Sequence, residues 1–169
     1  VSALYNLQLM KLIGADGVAA YGVLMYVGFI FAAVFIGYAQ GCAPIISYHY
    51  GAENHDELKN LFHKSVRLIS TWAISLFVLA QLIASPLASL FVGYDPALFE
   101  LTRMGFRIYC FAFLINGFNI YGSAFFTALN NGLLSALISF LRTLVFQLGV
   151  VFILPVFFGI NGIWLSVAT

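Results

Sequence analysis

The chain has 169 residues, of which 63% are hydrophobic and only 8% charged, with a formal net charge of +1. A water-soluble domain carries about 25% charged residues and about 45–50% apolar ones; with a mean hydropathy of +1.02, this chain has too few charges to cover a surface facing water. The near-neutral balance and the lack of a basic stripe exclude nucleic acid as a partner, and lipid is the solvent that fits.

The charges divide the chain into apolar intervals, and most are long enough for the roughly 20 residues that cross a bilayer. Backbone groups in hydrocarbon must bond within their own segment, so these intervals predict helices. Their weak alternation argues against a barrel of strands. The first helix is expected over Val1–Ile13, ending at the turn Gly14-Ala15-Asp16-Gly17. A second, from about Val18 to Ser47, exceeds one membrane thickness and has Pro44 near its end. A third covers about Asp56–Phe91, its span proper starting near Leu68, with Pro86 as a possible kink. Asn54, with Glu57 three residues on, has the form of a capping box. Leu58, Leu61, Phe62 and Val66 recur at helical spacing there, which suits either a short helix on the membrane surface or a solvated helix end. Gly93-Tyr94-Asp95-Pro96 is a turn, after which Pro96 or Ala97 opens a fourth helix to about Leu129. Asn130-Asn131-Gly132 connects tightly to a fifth, Leu133–Phe158, and Gly159-Ile160-Asn161-Gly162 turns into a sixth that is cut short. Both ends of the chain fall inside helices, so the sequence reads as a piece of a longer protein with no signal peptide of its own.

Sidedness is weakly marked: Lys59, Lys64, Arg67 and, farther in, Arg142 stand against Lys11, Arg103 and Arg107. The positive-inside rule puts the first set in the cytoplasm. Cys42 and Cys110 match no zinc or redox spacing and are expected as small core residues. His49, His55 and His63 are expected to be solvated, and Trp72 and Trp164 to mark interfaces. Glu100, Arg103 and Arg107 are spaced as an ion-pair ladder. No HExxH, paired intramembrane carboxylates or nucleophile–base pair points to an enzyme.

Three stretches go further. Gly37-Tyr38-Ala39-Gln40-Gly41 is followed by Pro44-Ile45-Ile46-Ser47-Tyr48-His49-Tyr50-Gly51-Ala52. Ala128-Leu129-Asn130-Asn131-Gly132-Leu133-Leu134-Ser135-Ala136 leads to Ser139-Phe140-Leu141-Arg142, and Gly159-Ile160-Asn161-Gly162-Ile163-Trp164 stands near the end. In this order the set resembles the C-terminal half of the multidrug and toxic compound extrusion (MATE) family, in its bacterial cation-coupled branch. The resemblance covers essentially the whole chain. It implies an all-α, polytopic bundle: a partial C-terminal lobe running from the end of the seventh helix to the start of the twelfth, with the N-terminal lobe absent. It also implies an antiporter in the bacterial inner membrane that exports drugs or small lipophilic cations, driven by Na⁺ or H⁺ and using no other cofactor. Family members often bind the cation with carboxylates in the first lobe. No Asp or Glu falls inside a span here, so the coupling-ion site is expected outside this chain. Flipping of a lipid-linked oligosaccharide, or a non-catalytic role as a membrane subunit, are the alternatives.

Within the expected lobe, Gln40, Tyr109, Phe113, Asn116 and Asn119 are the candidates to line a substrate cavity: amides for hydrogen bonds, aromatic faces for cation–π contact. Asn6 and Gln8 are weaker candidates. Gly37 and Gly41 form a small-xxx-small pair expected to pack helices closely, with hinging as the alternative. Pro44 joins them in a structural or gating role. Arg142 is the only charge well inside a predicted span, roughly 15 Å along its helix from Asn131. It is expected either to snorkel toward the cytoplasmic side or to organise that end of the lobe.

Overall fold

The computed structural model describes residues 2–167, with the side chains of 156, 160, 161 and 167 left out. Its elements are α1 (Ser2–Leu12), α2 (Ala15–Gly51), α3 (His55–Val92), α4 (Pro96–Tyr109), α5 (Ala112–Ala128), α6 (Gly132–Phe140), a π-helical segment (Leu141–Phe146) and α7 (Gln147–Val167). No strand occurs among the described residues. Ala15–Gly51, His55–Val92 and Gly132–Pro155 are long and apolar enough to cross a membrane, and α4 with α5 make a fourth, broken span.

Side-chain caps set the turns. The Asn54 carboxamide oxygen accepts from the Glu57 amide at 3.2 Å. The reciprocal half of the box is missing, because the Glu57 carboxylate accepts from the Asn60 amide instead. Asp95 accepts from the amides of Ala97 and Leu98, with Pro96 following in the first helical position. Asn131 accepts from Leu134 at 3.2 Å, and Asn130 before it takes the left-handed conformation that asparagine tolerates.

Helix α2 is the axis of the lobe, packed against α1, α3, α4 and α5. Its buried face recurs every three or four residues: Tyr21, Leu24, Gly28, Phe31, Phe35 and Ala39. Along α3 the buried line is Ala73, Leu76, Ala80, Ala84 and Ala88, whose small side chains let α4 and α5 approach. The opposite faces are apolar and open: Phe29, Ile30, Leu82 and Leu90 are each 70% or more exposed, as lipid-facing side chains are.

Polar groups inside the spans find partners across helices. The Tyr5 hydroxyl donates to the Ser166 carbonyl at 2.6 Å, Tyr38 to the Ser65 hydroxyl at 2.9 Å, and the Gln81 amide to the Arg107 carbonyl at 3.0 Å.

Several expectations need correction. α2 runs to Gly51, past Ser47, and Pro44 does not end it. α3 is continuous from His55, so the stretch carrying Lys59 and Lys64 is a solvated helix end and not a separate surface helix. The fourth helix is two helices, bent by 48°. At the bend the amides of Phe111, Phe113 and Leu114 bond three residues back, to the carbonyls of Ile108, Cys110 and Phe111. Trp164 marks no interface: it is fully buried, its indole against Gly105. Of the expected ladder only Arg103–Glu100 forms, at 2.7 Å.

The turn expected at Gly159–Gly162 holds. Gly159 sits at φ 57°, a conformation open to glycine, and two helices meet there. The side chains of Ile160 and Asn161 lie outside the described residues. Both cysteines are free and buried, as their apolar surroundings suggest.

Candidate functional site

The close approaches in this lobe are made by glycines that the sequence did not single out. A methyl group on Gly28 would collide with the Tyr109 hydroxyl and ring. One on Gly117 would lie 2.6 Å from Phe35 Cε1 and 2.9 Å from Ile69 Cγ2. Gly37 and Gly41 are on an exposed face with nothing within 4 Å, so the pair makes no helix–helix contact in this lobe. Pro44 shares that exposure.

The expected cavity residues divide into two groups. Phe113 stacks on Phe31 with ring centroids 4.8 Å apart, and Tyr109 meets Phe113 edge-on at 5.5 Å. Both rings are buried in the core, so neither faces an open surface. The stripe from Tyr109 through Phe113 to Asn116 assumed one straight helix. The bend interrupts it, and α2 packs over its aromatic part.

Gln40 and Arg142, by contrast, come together. They line one cavity of about 600 Å³ between α2, α5 and the π-helical segment. α2 contributes Ile36, Gln40, Ala43 and Ser47, and α5 contributes Ile120, Ser123 and Thr127. Small residues make the room, with Ala39, Ala124 and Ala128 on its walls. Asn116 and Asn119 do not line it. They stand on the same face of α5, at four-residue spacing from Ile120 and Ser123, and are half-buried. Asn6 is exposed and Gln8 half-buried on α1, both away from this cavity.

One wall of the cavity is a hydroxyl cluster that ties α5 to α6. Thr127 Oγ1 donates to Ser135 Oγ at 2.8 Å, and Ser135 Oγ donates to the Ser123 carbonyl at 2.9 Å. Ser123 Oγ lies 3.0 Å from Ser135 Oγ and 3.2 Å from Ser139 Oγ. On the other side Ser47 Oγ donates to the Ala128 carbonyl at 2.9 Å. Gln40 and Arg142 keep free side-chain donors: neither has a hydrogen bond or ion pair among the described residues.

Arg142 stands at the start of the π turn. The Gln147 amide bonds to the Arg142 carbonyl, five residues back. From Asn131 the guanidinium's helix has risen about 16 Å, close to half of a hydrocarbon core of about 30 Å. The side chain lines the cavity, which gives its charge a polar surface beside Gln40 and the hydroxyls of Ser47, Ser123 and Thr127. No sequence signal marks the π segment, since Leu141–Phe146 holds neither proline nor glycine. No group of three metal-ligating side chains occurs among the described residues.

The fold finds its counterpart in a known family. A family model described as MatE matches residues 1–153. The chain belongs to the MatE family. Solved MATE structures share the fold of this MatE protein. A Vibrio cholerae transporter, VcmN in the bent form, aligns with a TM-score of 0.90 at 18% identity over 99% of this chain. A MATE protein in complex with MaL6 aligns at 0.89 and 20% identity, also over 99%. An outward-facing multidrug resistance transporter of the MOP superfamily gives 0.90 and 20% over 98%. The MatE chain spans 38% of the length of each of these proteins. No curated protein sequence matches it. Membership makes it a multi-pass membrane protein of a transporter family, as its apolar spans require.

Proposed function

We propose that this MatE chain forms part of a secondary active antiporter that exports drugs or organic cations in exchange for Na⁺ or H⁺ across a bacterial inner membrane. The observation that carries the reading is the cavity between α2 and α5, where Gln40 offers an unpaired amide beside a wall of hydroxyls. Asn116 and Asn119 extend that polar face along α5. A carrier needs such a surface at membrane depth, with enough polar groups to orient a substrate and enough apolar wall to admit it. The substrate itself is bound together with the other lobe, and the coupling ion is held there, since every carboxylate of this chain (Asp16, Glu53, Asp56, Glu57, Asp95 and Glu100) lies at or near a helix start and none lies deep in a span. The likeness to a multidrug resistance transporter supports the same reading.

The test is efflux of ethidium by the full-length protein in a bacterium deficient in its own pumps. Efflux that collapses when the Na⁺ or proton gradient is removed supports the antiporter. No movement of any cationic dye overturns it.

A second reading has one observation in its favour. Arg142 faces the cavity with no counter-ion among the described residues, an arrangement suited to a phosphate and unfavourable to a cation. Flipping of a lipid-linked oligosaccharide would use it. Reconstituted protein that moves such a lipid and leaves ethidium untouched would establish this reading instead.

A further inference from the structure

A second cavity, of about 560 Å³, opens where three helices end together. Tyr50, one residue from the end of α2, His55 at the start of α3 and Leu129 capping α5 all border it. These helix ends lie together at one end of the lobe. The inner wall is apolar: Leu58 and Phe62 from α3, Phe125 and Phe126 from α5. Phe62 and Phe125 close it with ring centroids 5.2 Å apart. The rim is basic, formed by His55, Lys59 and His63, and no carboxylate lines the cavity. The Lys59 ammonium has no ion pair among the described residues. His63 Nδ1 lies 2.7 Å from the Lys59 carbonyl, an acceptor only, so that nitrogen carries the proton, and Nε2 donates to an anion only when the ring holds both protons.

A narrower apolar cavity of about 240 Å³ follows along α3, lined by Phe35, Tyr38, Leu68, Ile69 and Trp72. Packed rings stand between the two: Phe62 lies 6.4 Å from the buried Tyr121, and Tyr121 lies 6.0 Å from Tyr38. From Lys59 to Trp72 is about 20 Å along the helix. A mouth with one lysine and two histidines and no lining carboxylate, over an apolar aromatic wall where three helices end, has the chemistry to hold one amphiphile.

We propose that this cavity binds an anionic phospholipid of the surrounding leaflet, with its phosphate at Lys59 and His63 and an acyl chain against Leu58, Phe62, Phe125 and Phe126. The charge complementarity commits the site to a lipid of net negative charge, since a zwitterionic headgroup brings its own cation to the same rim.

The test uses the full-length protein purified in mild detergent, with phosphatidylglycerol or phosphatidylcholine added and retained lipid counted by native mass spectrometry. Wild type should keep phosphatidylglycerol in preference. Lys59→Gln should weaken that retention about fivefold, the effect of one cation near a membrane surface, and Lys59→Gln with His63→Gln should weaken it further. Lys59→Arg should retain the lipid, and Lys11→Gln, at the other end of the lobe, should leave binding unchanged. Equal retention of both lipids, an unaltered count in the double variant, the same loss in Lys11→Gln, or displacement by millimolar inorganic phosphate would each overturn the proposal. A thermal melt on every variant separates lost binding from lost fold.

Discussion

The amide of Gln147 donates to the carbonyl of Arg142, five residues before it, and that single long bond widens the helix where its only intramembrane charge sits. A π turn admits one more residue than an α turn and so rotates everything that follows. Arg142, at the start of that turn, lines the same cavity as Gln40 and Ser123 and has no hydrogen bond or ion pair among the described residues. Replacing it with leucine in the full-length protein should lower transport by about tenfold or more, because the position then loses both charge and donors at membrane depth. Transport assays with expression followed by immunoblot check this. Unchanged transport at unchanged expression would remove Arg142 from the working parts.

Glycine substitutions should sort by contact rather than by motif. Gly28→Ala forces a methyl into the Tyr109 ring and should cost about 1–3 kcal/mol, as overpacking does. Gly37→Ala and Gly41→Ala meet nothing within 4 Å and should be neutral or stabilising, since alanine favours the helix. Thermal melts in detergent distinguish the sets. A melt lowered by Gly37→Ala and not by Gly28→Ala would reverse the assignment.

The aromatic and amide candidates should separate in the same way. Phe113→Ala removes a ring stacked 4.8 Å from Phe31 in the core, and its cost of about 3 kcal/mol or more should appear as lost stability. Gln40→Leu and Asn116→Leu touch exposed or half-buried positions. They should leave the melt in place and lower dye efflux severalfold. Wild-type efflux from both amide variants would argue that substrate does not use this face.

Ser135 is the centre of the α5–α6 hydroxyl cluster, accepting from Thr127 and donating to the Ser123 carbonyl. Ser135→Ala should destabilise the protein by about 0.6–2 kcal/mol, the range for hydrogen bonds between membrane helices. Chemical denaturation in mixed micelles measures it. Ser75→Ala, on an exposed part of α3, is the control expected to change nothing.

Much of the fold was legible because lipid imposes a simple code. Charge-free intervals gave the spans, and Asn54, Asp95 and Asn131 announced the helix starts through side chains that do cap them. What escaped depends on tertiary contact. Nothing between Tyr109 and Ala112 is a helix breaker, so the bend is invisible to propensity. The π segment is likewise ordinary in composition. Gly37 and Gly41 satisfied a packing motif that the neighbouring helices ignore, while Gly28, whose partner in such spacing is only Ala32, and Gly117, which has none, carry the contacts. From sequence, Gln40 is a cavity candidate because a polar group in hydrocarbon is expensive, whereas Arg142 is expected to snorkel or to organise the cytoplasmic end of the lobe; the fold places both on one cavity. The choice of Tyr109 and Phe113 rested on a straight helix that does not exist.

The joint between α4 and α5 contains no proline, and its amides stay bonded to carbonyls three residues back. Straightening it would exchange one set of backbone bonds for another of similar strength. What holds the angle is Phe111 against Phe77, with rings 5.0 Å apart, and Phe113 against Phe31. The angle is therefore a property of the neighbours and not of the chain itself. Whatever shifts α2 or α3 sets the direction in which the Asn116 face of α5 points.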